Sequence, residues 1–450
     1  MKKLFLSAAL LLFLFANGHA AVAPTTALSA STFINSMGVN THIIYKDGAY
    51  ANAASVVQDL NYIGVYHVRD SAPTSWNPGT ASLGDYVTWA NAGIYFDLLG
   101  AQIASDGSSV DLTMINAIAG SIQNNILSIE GPNEINNWPV GPYDGLPAGT
   151  AAAIAFMGDL YTAVHSDPAL IPGILVYDMT GAPSVSSLAA RADVANTHPY
   201  PSNGQQPYDF VEGAFAGYTM SRPFPEVITE IGNFSLPPGW LAGTPWWEGY
   251  TELGIDEPTQ AKSIINSYFD GALFGVGRTY IYELLDEKAD PTMTLPEFHF
   301  GMFRFDTLTQ PAASAHMPKA SAIAIHNLTT LLNANGATPV NSFAQRQLSY
   351  SVENMPSTGS SLLLQRADGT FILALWNNVP FWYWDSIISM PVNSTPIQVM
   401  LQLQQQASSI QVFDPLVGIT PITSQQNIQG MTLNVPDHPI LVTITLGSKR

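Results

Sequence analysis

The segment Ile126–Trp138 reads I-L-S-I-E-G-P-N-E-I-N-N-W. A short apolar run with β-branched residues ends in an acid, breaks at a Gly-Pro pair and then presents Asn133 and Glu134. This pattern is typical of a buried strand that delivers a carboxylate to a loop. It also fits a strand followed by a turn with two solvated acids, because loop carboxylates are common. The rest of the chain distinguishes these interpretations.

Seven further short runs of the same β type are spaced along the first two thirds of the chain. The eight predicted strands are Phe33–Asn40, Gly64–Arg69, Ile94–Leu99, Ile126–Glu130, Ile174–Tyr177, Val194–His198, Pro225–Glu230 and Arg278–Glu283. Apolar residues three and four apart predict helices between them, and an eighth helix is expected over Ala312–Leu332. Eight strand-then-helix units, with strands apolar on both faces, predict an α/β fold, a (β/α)8 TIM barrel over residues 24–335.

The pattern changes after residue 335. Strand-like runs are separated by turn signals such as Asp368-Gly369 and Asp414-Pro415. Residues 336–450 are therefore predicted to form an appended C-terminal antiparallel β-sandwich, to which the stretch before Phe33 adds a strand.

The N-terminus has the features of an export signal. Lys2 and Lys3 precede a short apolar segment and small residues, which predicts a signal peptide over residues 1–20, with cleavage after Ala23 as the alternative. The mature chain is expected to be secreted or periplasmic. No other stretch has the roughly 20 apolar residues of a membrane span, so none is expected.

Composition excludes several classes of function. The 450-residue chain has no cysteine and a formal charge of −19. Thiol catalysis and cysteine-based zinc sites are therefore excluded, and so negative a surface repels the phosphate backbone of nucleic acids. We find no H-E-x-x-H, G-x-S-x-G or phosphate-binding glycine loop, so neither a metal nor an organic cofactor is expected. The oligomeric state is not predicted.

Barrel enzymes carry their active sites at the carboxyl ends of the strands. Glu134 follows predicted strand four and Glu230 ends predicted strand seven, so the two face each other across the barrel mouth. Two opposed carboxyl groups suit glycoside hydrolysis, with one as acid and the other as nucleophile. The acid must stay protonated, for which an apolar wall such as Trp138 or the partner's charge is expected, and an arginine would keep the nucleophile ionised.

Four motifs at successive strands support this interpretation. They are H-V-R-D at strand two, I-E-G-P-N-E after strand four, H-P-Y at strand six and V-I-T-E-I-G at strand seven. Together they resemble the clan A retaining glycoside hydrolases. The added sandwich makes family 39 the nearest layout, with families 5, 30 and 79 as neighbours, and the resemblance extends from about Phe33 to the C-terminus.

The resemblance implies a role for each matching residue. Glu134 would be the general acid/base and Glu230 the nucleophile. Asn133 would hydrogen-bond the sugar 2-hydroxyl. Arg69 and Tyr200 would bind Glu230, while His198 would line the sugar site. Clan members often place a tryptophan at the end of strand eight, where this sequence has Tyr282 as the expected sugar platform.

Several assignments have alternatives. Arg69 would otherwise neutralise Asp70 or Glu130, and His198 would be a satisfied turn histidine. Glu130 is interpreted as barrel framework that pairs with Arg69. Glu283 competes with Glu230 as the nucleophile if the strands are miscounted.

Aromatic residues in long connections are expected to select the substrate. Trp246 belongs to the segment Ile231–Glu257, which would wall a glycan cleft or pack onto the barrel. A second connection, Leu284–Gln310, is expected to cover the same face. Trp376, Trp382 and Trp384 are expected to pack between the domains rather than bind carbohydrate.

The sequence thus predicts an exported, retaining β-glycoside hydrolase whose partner is a carbohydrate substrate. Two other functions stay open: an exopolysaccharide-remodelling transglycosylase with the same covalent intermediate, and a non-catalytic glycan-binding protein on the same fold.

Overall fold

The computed structural model describes residues 23–73, 81–182, 190–215, 225–236, 254–290, 295–305, 316–333, 343–384 and 389–447. The predicted signal peptide and Trp246 lie outside these residues. No helix within the described ranges is long and apolar enough to cross a membrane.

The described chain begins with two strands of the second domain. These are β1 (Ala23–Thr26) and β2 (Leu28–Ser29), which pair with strands near the C-terminus. The predicted barrel boundary at residue 24 is therefore wrong, whereas the added N-terminal strand is confirmed. Helix α1 (Ala30–Asn35) follows and includes the first three residues of the predicted strand Phe33–Asn40, because a short apolar run alone does not distinguish a helix from a strand.

Eight parallel strands form the barrel, and a small hairpin, β6–β7, projects from it. The strands from here to the end of the barrel are β3 (Met37–Asn40), β4 (His67–Ser71), β5 (Tyr95–Leu99), β6 (Gln102–Ile103), β7 (Val110–Asp111), β8 (Ile126–Glu130), β9 (Leu175–Tyr177), β10 (Ala195–Thr197), β11 (Glu226–Ile231) and β12 (Arg278–Ile281). The order β10-β11-β12-β3-β4-β5-β8-β9 is closed by a parallel bridge between Tyr177 and Val194. The TIM barrel is confirmed.

Helices surround this sheet. They are α2 (Ala53–Ile63), α3 (Leu83–Asn91), α4 (Thr113–Ile122), α5 (Thr150–Ser166), α6 (Tyr208–Gly213), α7 (Glu257–Leu273) and α8 (Ala320–Leu332). The Asn52 side chain caps α2 by accepting from two backbone N–H groups, and Gly64 ends it at φ 68°. A Cβ on Gly64 would lie 2.8 Å from Thr329 Oγ1 on α8, so glycine permits both the turn and the packing. The predicted start of α8 at Ala312 is wrong, since residues 316–319 precede the helix.

A mostly antiparallel β-sandwich follows the barrel. After the short strands β13 (Phe303–Arg304) and β14 (Met317–Pro318), its elements are β15 (Gln347–Glu353), β16 (Gly359–Gln365), β17 (Phe371–Asn377), β18 (Trp382–Trp384), β19 (Ser389–Pro391), β20 (Ile397–Phe413), β21 (Thr423–Val435) and β22 (Ile440–Leu446). Strand β20 pairs with β15 along its first half and with β22 along its second. It joins the strand-like runs Ile397–Leu403 and Ser409–Phe413 into one strand. The glutamine-rich first half of β21 has no apolar alternation, and β21 is not among the predicted strands.

The sandwich packs against the barrel through Trp376. Its indole Nε1 donates to Asp270 Oδ1 on α7 at 3.1 Å, and its ring lies 5.6 Å from that of Phe269. Lys262, also on α7, binds Asp437 at 2.8 Å. The expectation that Trp376 packs between the domains is confirmed.

Candidate active site

The carboxyl ends of the barrel strands open into a cavity of about 1240 Å³. Strand β4 supplies Arg69, the loop after β8 supplies Asn133 and Glu134, and β11 supplies Glu230. Tyr200, Tyr282 and Trp138 also line the cavity. All the predicted site residues within the described ranges except His198 therefore border one space, which is large enough for more than one sugar unit.

Arg69 is the centre of the hydrogen-bond network below the cavity. Its Nε and Nη2 donate to the two oxygens of Glu130 at 2.6 and 2.8 Å. Its Nη1 donates to Glu230 and, at 3.1 Å, to Asn40 Oδ1, while Nη2 also reaches Asn133 Oδ1 at 2.8 Å. Arg69 thus binds both the framework acid Glu130 and the predicted nucleophile Glu230. The two residues that were alternatives as its partner are therefore both in contact with it.

Glu130 has the structural position expected for it. It is 1% exposed and accepts from Arg69 in a bidentate pair, while Thr229 Oγ1 donates to it at 3.3 Å. Asp97 lies beyond it in the barrel interior, where burial and the negative charge of Glu130 raise the pKa of Asp97 well above its usual range. Asp70 is not a partner of Arg69; it accepts from Thr41 and from the backbone of Ile43.

Glu230 lies in a site that favours its ionised form. Burial works to raise its pKa, but the nearby His198 and Arg69 outweigh burial, and the pKa is lowered from its ordinary value. The Tyr200 hydroxyl donates to Glu230 Oε2 at 2.8 Å. These contacts place Arg69 and Tyr200 on the same carboxylate.

Glu134 is held in an unusual backbone conformation at the cavity edge. Its φ is +41°, a region that non-glycine residues rarely adopt and that often marks functional sites. Thr180 Oγ1 accepts from its backbone N–H at 2.9 Å. Gly181 lies directly behind, where a Cβ would stand 3.0 Å from the Glu134 Cα and 1.9 Å from the Asn136 Oδ1. The loop therefore fixes the position of this carboxylate.

His198 connects the two carboxylates from behind the cavity. Its Nδ1 lies 3.1 Å from Glu134 Oε1 and 3.7 Å from Glu230 Oε2, and its Nε2 lies 2.9 Å from Thr229 Oγ1. That His198 lines the sugar site stays a prediction; the structure shows its contacts with both acids. It is a positioning residue for both acids.

Trp138 does not protect the Glu134 proton in the way expected. Trp138 is 71% exposed, so it does not form an apolar wall that shields the carboxyl group. The hydrogen bond from His198 instead lowers the pKa of Glu134 from its ordinary value. An imidazole that is charged, or that donates a hydrogen bond, favours the ionised form of a nearby carboxylate. His198 has this effect on both Glu134 and Glu230.

Glu283 does not compete for the nucleophile position. It is 0% exposed and is not among the residues that border the cavity. Tyr50 donates to its Oε2 at 3.1 Å, and burial raises its pKa well above the usual range. A carboxyl group that is fully buried has no access to a sugar carbon.

The structure adds four residues that the sequence analysis does not single out: His42, Tyr45, Glu287 and Glu297 all line the cavity. Glu287 and Glu297 lie in the connection after β12, which was expected to cover this face. In the sequence, both residues appear as acids in the connection that follows the last barrel strand. The connection has no periodicity that would choose among its acids, and His42 lies two residues past the end of β3.

The barrel, the appended sandwich and the carboxylate pair at the fourth and seventh barrel strands agree with the architecture that the motifs predict. The structure is similar to the monomeric β-xylosidase from Caulobacter crescentus CB15, with a TM-score of 0.53 and 11% identity over 95% of this chain and 98% of that chain. It is also similar to the GH39 enzyme from Xanthomonas axonopodis pv. citri, with a TM-score of 0.49 and 14% identity over 96% and 99% of the two chains. No protein-family model and no curated protein matches the sequence. The property shared with the Caulobacter crescentus enzyme is the fold, a barrel with an appended sandwich as the sequence predicts.

Proposed function

We propose that the protein is an exported, retaining glycoside hydrolase that cleaves β-glycosidic bonds of a poly- or oligosaccharide. The observation that carries the proposal is the spacing of the two acids. A carboxylate oxygen of Glu134, a carboxylate oxygen of Glu230 and a ring nitrogen of His198 all lie within 4.8 Å of one another. Retaining enzymes hold their carboxyl groups about 5–5.5 Å apart, whereas inverting enzymes leave about 6.5–9.5 Å for a water molecule.

In the first step Glu230 attacks the anomeric carbon and Glu134 gives its proton to the departing glycosidic oxygen. Arg69 and Tyr200 hold one nucleophile geometry, since they donate to different oxygens of Glu230. In the second step a water molecule gives its proton to Glu134 and displaces the sugar from Glu230. The cycle returns both carboxyl groups to their starting states.

Asn133 is positioned to assist both steps. Its Oδ1 accepts from Arg69, which fixes the amide plane at the cavity surface. Its NH2 group would then donate to the sugar 2-hydroxyl, a contact that strengthens in the transition state. Export is part of the proposal because of the signal pattern over residues 1–20.

The test is a screen of the purified mature protein against aryl β-glycosides and neutral β-linked polysaccharides, with proton NMR to follow the anomer released first. We expect the β-anomer. Glu134→Gln and Glu230→Gln should each lose nearly all hydrolysis while keeping the thermal unfolding of the wild type. Glu212→Gln, on an exposed face of α6, is the matched control.

An inverted product would contradict the double displacement, and full activity in either cavity variant would contradict the assignment of that acid. Sizing of the products separates hydrolysis from transfer, because a transglycosylase would produce chains longer than the substrate.

A further inference from the structure

One side of the catalytic cavity is formed by an acid wall, which consists of Glu287, Glu297, Tyr282 and His42. The Tyr282 hydroxyl lies between the two acids, 3.4 Å from Glu287 Oε1 and 3.5 Å from Glu297 Oε2. His42 Nε2 lies 3.5 Å from the same Glu287 oxygen. All four side chains border the space that also contains Glu134 and Glu230. A sugar bound at the catalytic pair would therefore contact this wall.

The described residues that border the cavity are rich in acids and poor in bases. Five of them are glutamates: Glu130, Glu134, Glu230, Glu287 and Glu297. Arg69 is the only lysine or arginine among them, and its hydrogen-bonding capacity is already used. Its Nε and both Nη atoms donate to Glu130, Glu230, Asn40 and Asn133, which accounts for all five N–H groups. It has no free donor for a further carboxylate.

The pKa values of Glu287 and Glu297 are raised, as expected in a buried space that already contains negative charge. Burial raises the pKa of Glu287 to about 8, and the charge of Glu283 adds to the effect. Burial and the charge of Glu230 raise the pKa of Glu297 as well. Burial and the charge of Glu230 would oppose a substrate carboxylate here in the same way, whereas hydroxyl or amino groups would donate hydrogen bonds to these oxygens.

We propose that the sugar bound against the acid wall carries hydroxyl or amino groups and no carboxylate, and that Glu287 and Glu297 exclude uronic acid units. This inference rests on the proposed function and names its substrate class. The two acids act on specificity, because they border the space that a sugar at the catalytic pair would occupy.

The test uses matched pairs of substrates with the same leaving group: 4-nitrophenyl β-glucoside with the β-glucuronide, the β-galactoside with the β-galacturonide, and neutral with uronate-bearing β-linked oligosaccharides. Measured above pH 8, where Glu287 is ionised, kcat/KM for the better neutral member should exceed that of its uronate partner by at least about 100-fold, since like charges at close range cost several kcal/mol. Glu287→Gln and Glu297→Gln should each lower that ratio by about 10-fold. Glu353→Gln, on strand β15 of the sandwich, should leave the ratio unchanged.

Thermal unfolding of each variant establishes that it is folded, and the ratio between paired substrates is independent of the active fraction. Uronate substrates cleaved as well as their neutral partners would overturn the inference and leave the proposed function intact. A ratio unchanged in both cavity variants would overturn the role of Glu287 and Glu297. No turnover of any substrate, neutral or uronate, would overturn the proposed function and the inference together.

Discussion

The interiors of the two domains are stabilised in opposite ways. The sandwich core, which includes Leu373, Leu401 and Val442, is a cluster of buried apolar side chains. The barrel has an apolar core of its own, but towards the cavity it buries Arg69, Glu130, Asp97 and Glu230 in one connected network. An apolar core requires shape and volume, whereas buried charges require specific partners. Substitutions in the sandwich should therefore change stability alone, and substitutions in the network should change stability and activity together.

Arg69→Met should give the largest effect. It leaves Glu130 and Glu230 buried without their main cation, and removal of one member of a buried ion pair costs about 3–5 kcal/mol. The pKa of Glu230 should rise, because burial is then opposed by fewer positive charges. We expect the free energy of unfolding, measured in urea, to fall by that amount and hydrolysis to be nearly lost.

Arg304→Met is the matched control for this prediction. Arg304 binds Glu257 at the barrel surface, where an ion pair contributes less than about 1 kcal/mol, and activity should be retained. If Arg69→Met and Arg304→Met lowered the free energy of unfolding equally, the buried network would contribute no more to stability than a surface ion pair.

Leu373→Ala tests the other side of the comparison. Leu373 on β17 is 0% exposed within the sandwich core, and such a truncation costs about 2–5 kcal/mol. We expect the urea midpoint to fall while kcat/KM of the folded protein stays at the wild-type value. Thr432→Ala, at an exposed position of β21, should change stability by less than about 0.5 kcal/mol. A fall in kcat/KM for folded Leu373→Ala would mean that the sandwich contributes to catalysis.

His198→Gln should have a smaller effect, seen in the pH dependence. The hydrogen bond from His198 lowers the pKa of Glu134, so Glu134 loses its proton at a lower pH than an ordinary glutamic acid. Because the acid must be protonated, kcat/KM of the wild type should fall as pH rises through this lowered pKa, which gives an acidic optimum. Without the imidazole the pKa of Glu134 rises, and the fall in kcat/KM should move to higher pH.

The control for the pH experiment is His165→Gln, on an exposed part of α5, which should keep the wild-type profile. If kcat/KM fell at the same pH in His198→Gln and in the wild type, a group other than Glu134 would control that fall.

The barrel and the sandwich also differ in how well the sequence predicts them. Alternation of strand and helix patterns predicts the barrel, and the run Ile126–Glu130 matches its strand at both ends because Gly131-Pro132 breaks it. Glu134, Glu230 and Arg69 are predictable because strand ends converge in this fold. The contacts of His198 are not, since they join residues 64 and 31 positions away. The first half of strand β21 shows the converse, because its exposed glutamines give no apolar alternation and it forms by pairing with β20.

Trp138→Ala should have the smallest effect and the most local one. The side chain is 71% exposed at the cavity edge, so it contributes little to folding, and an aromatic contact with a sugar is worth about 0.5–1.5 kcal/mol. We expect KM for an oligosaccharide to rise by about 2-fold to 10-fold with kcat unchanged, because the contact would form equally in the ground and transition states. Tyr383→Ala provides the matched control, since Tyr383 is 49% exposed on β18 of the sandwich and should leave KM unaltered. If Tyr383→Ala raised KM as much as Trp138→Ala did, the sandwich would also bind the glycan, and the separation between a catalytic barrel and a supporting sandwich would no longer hold.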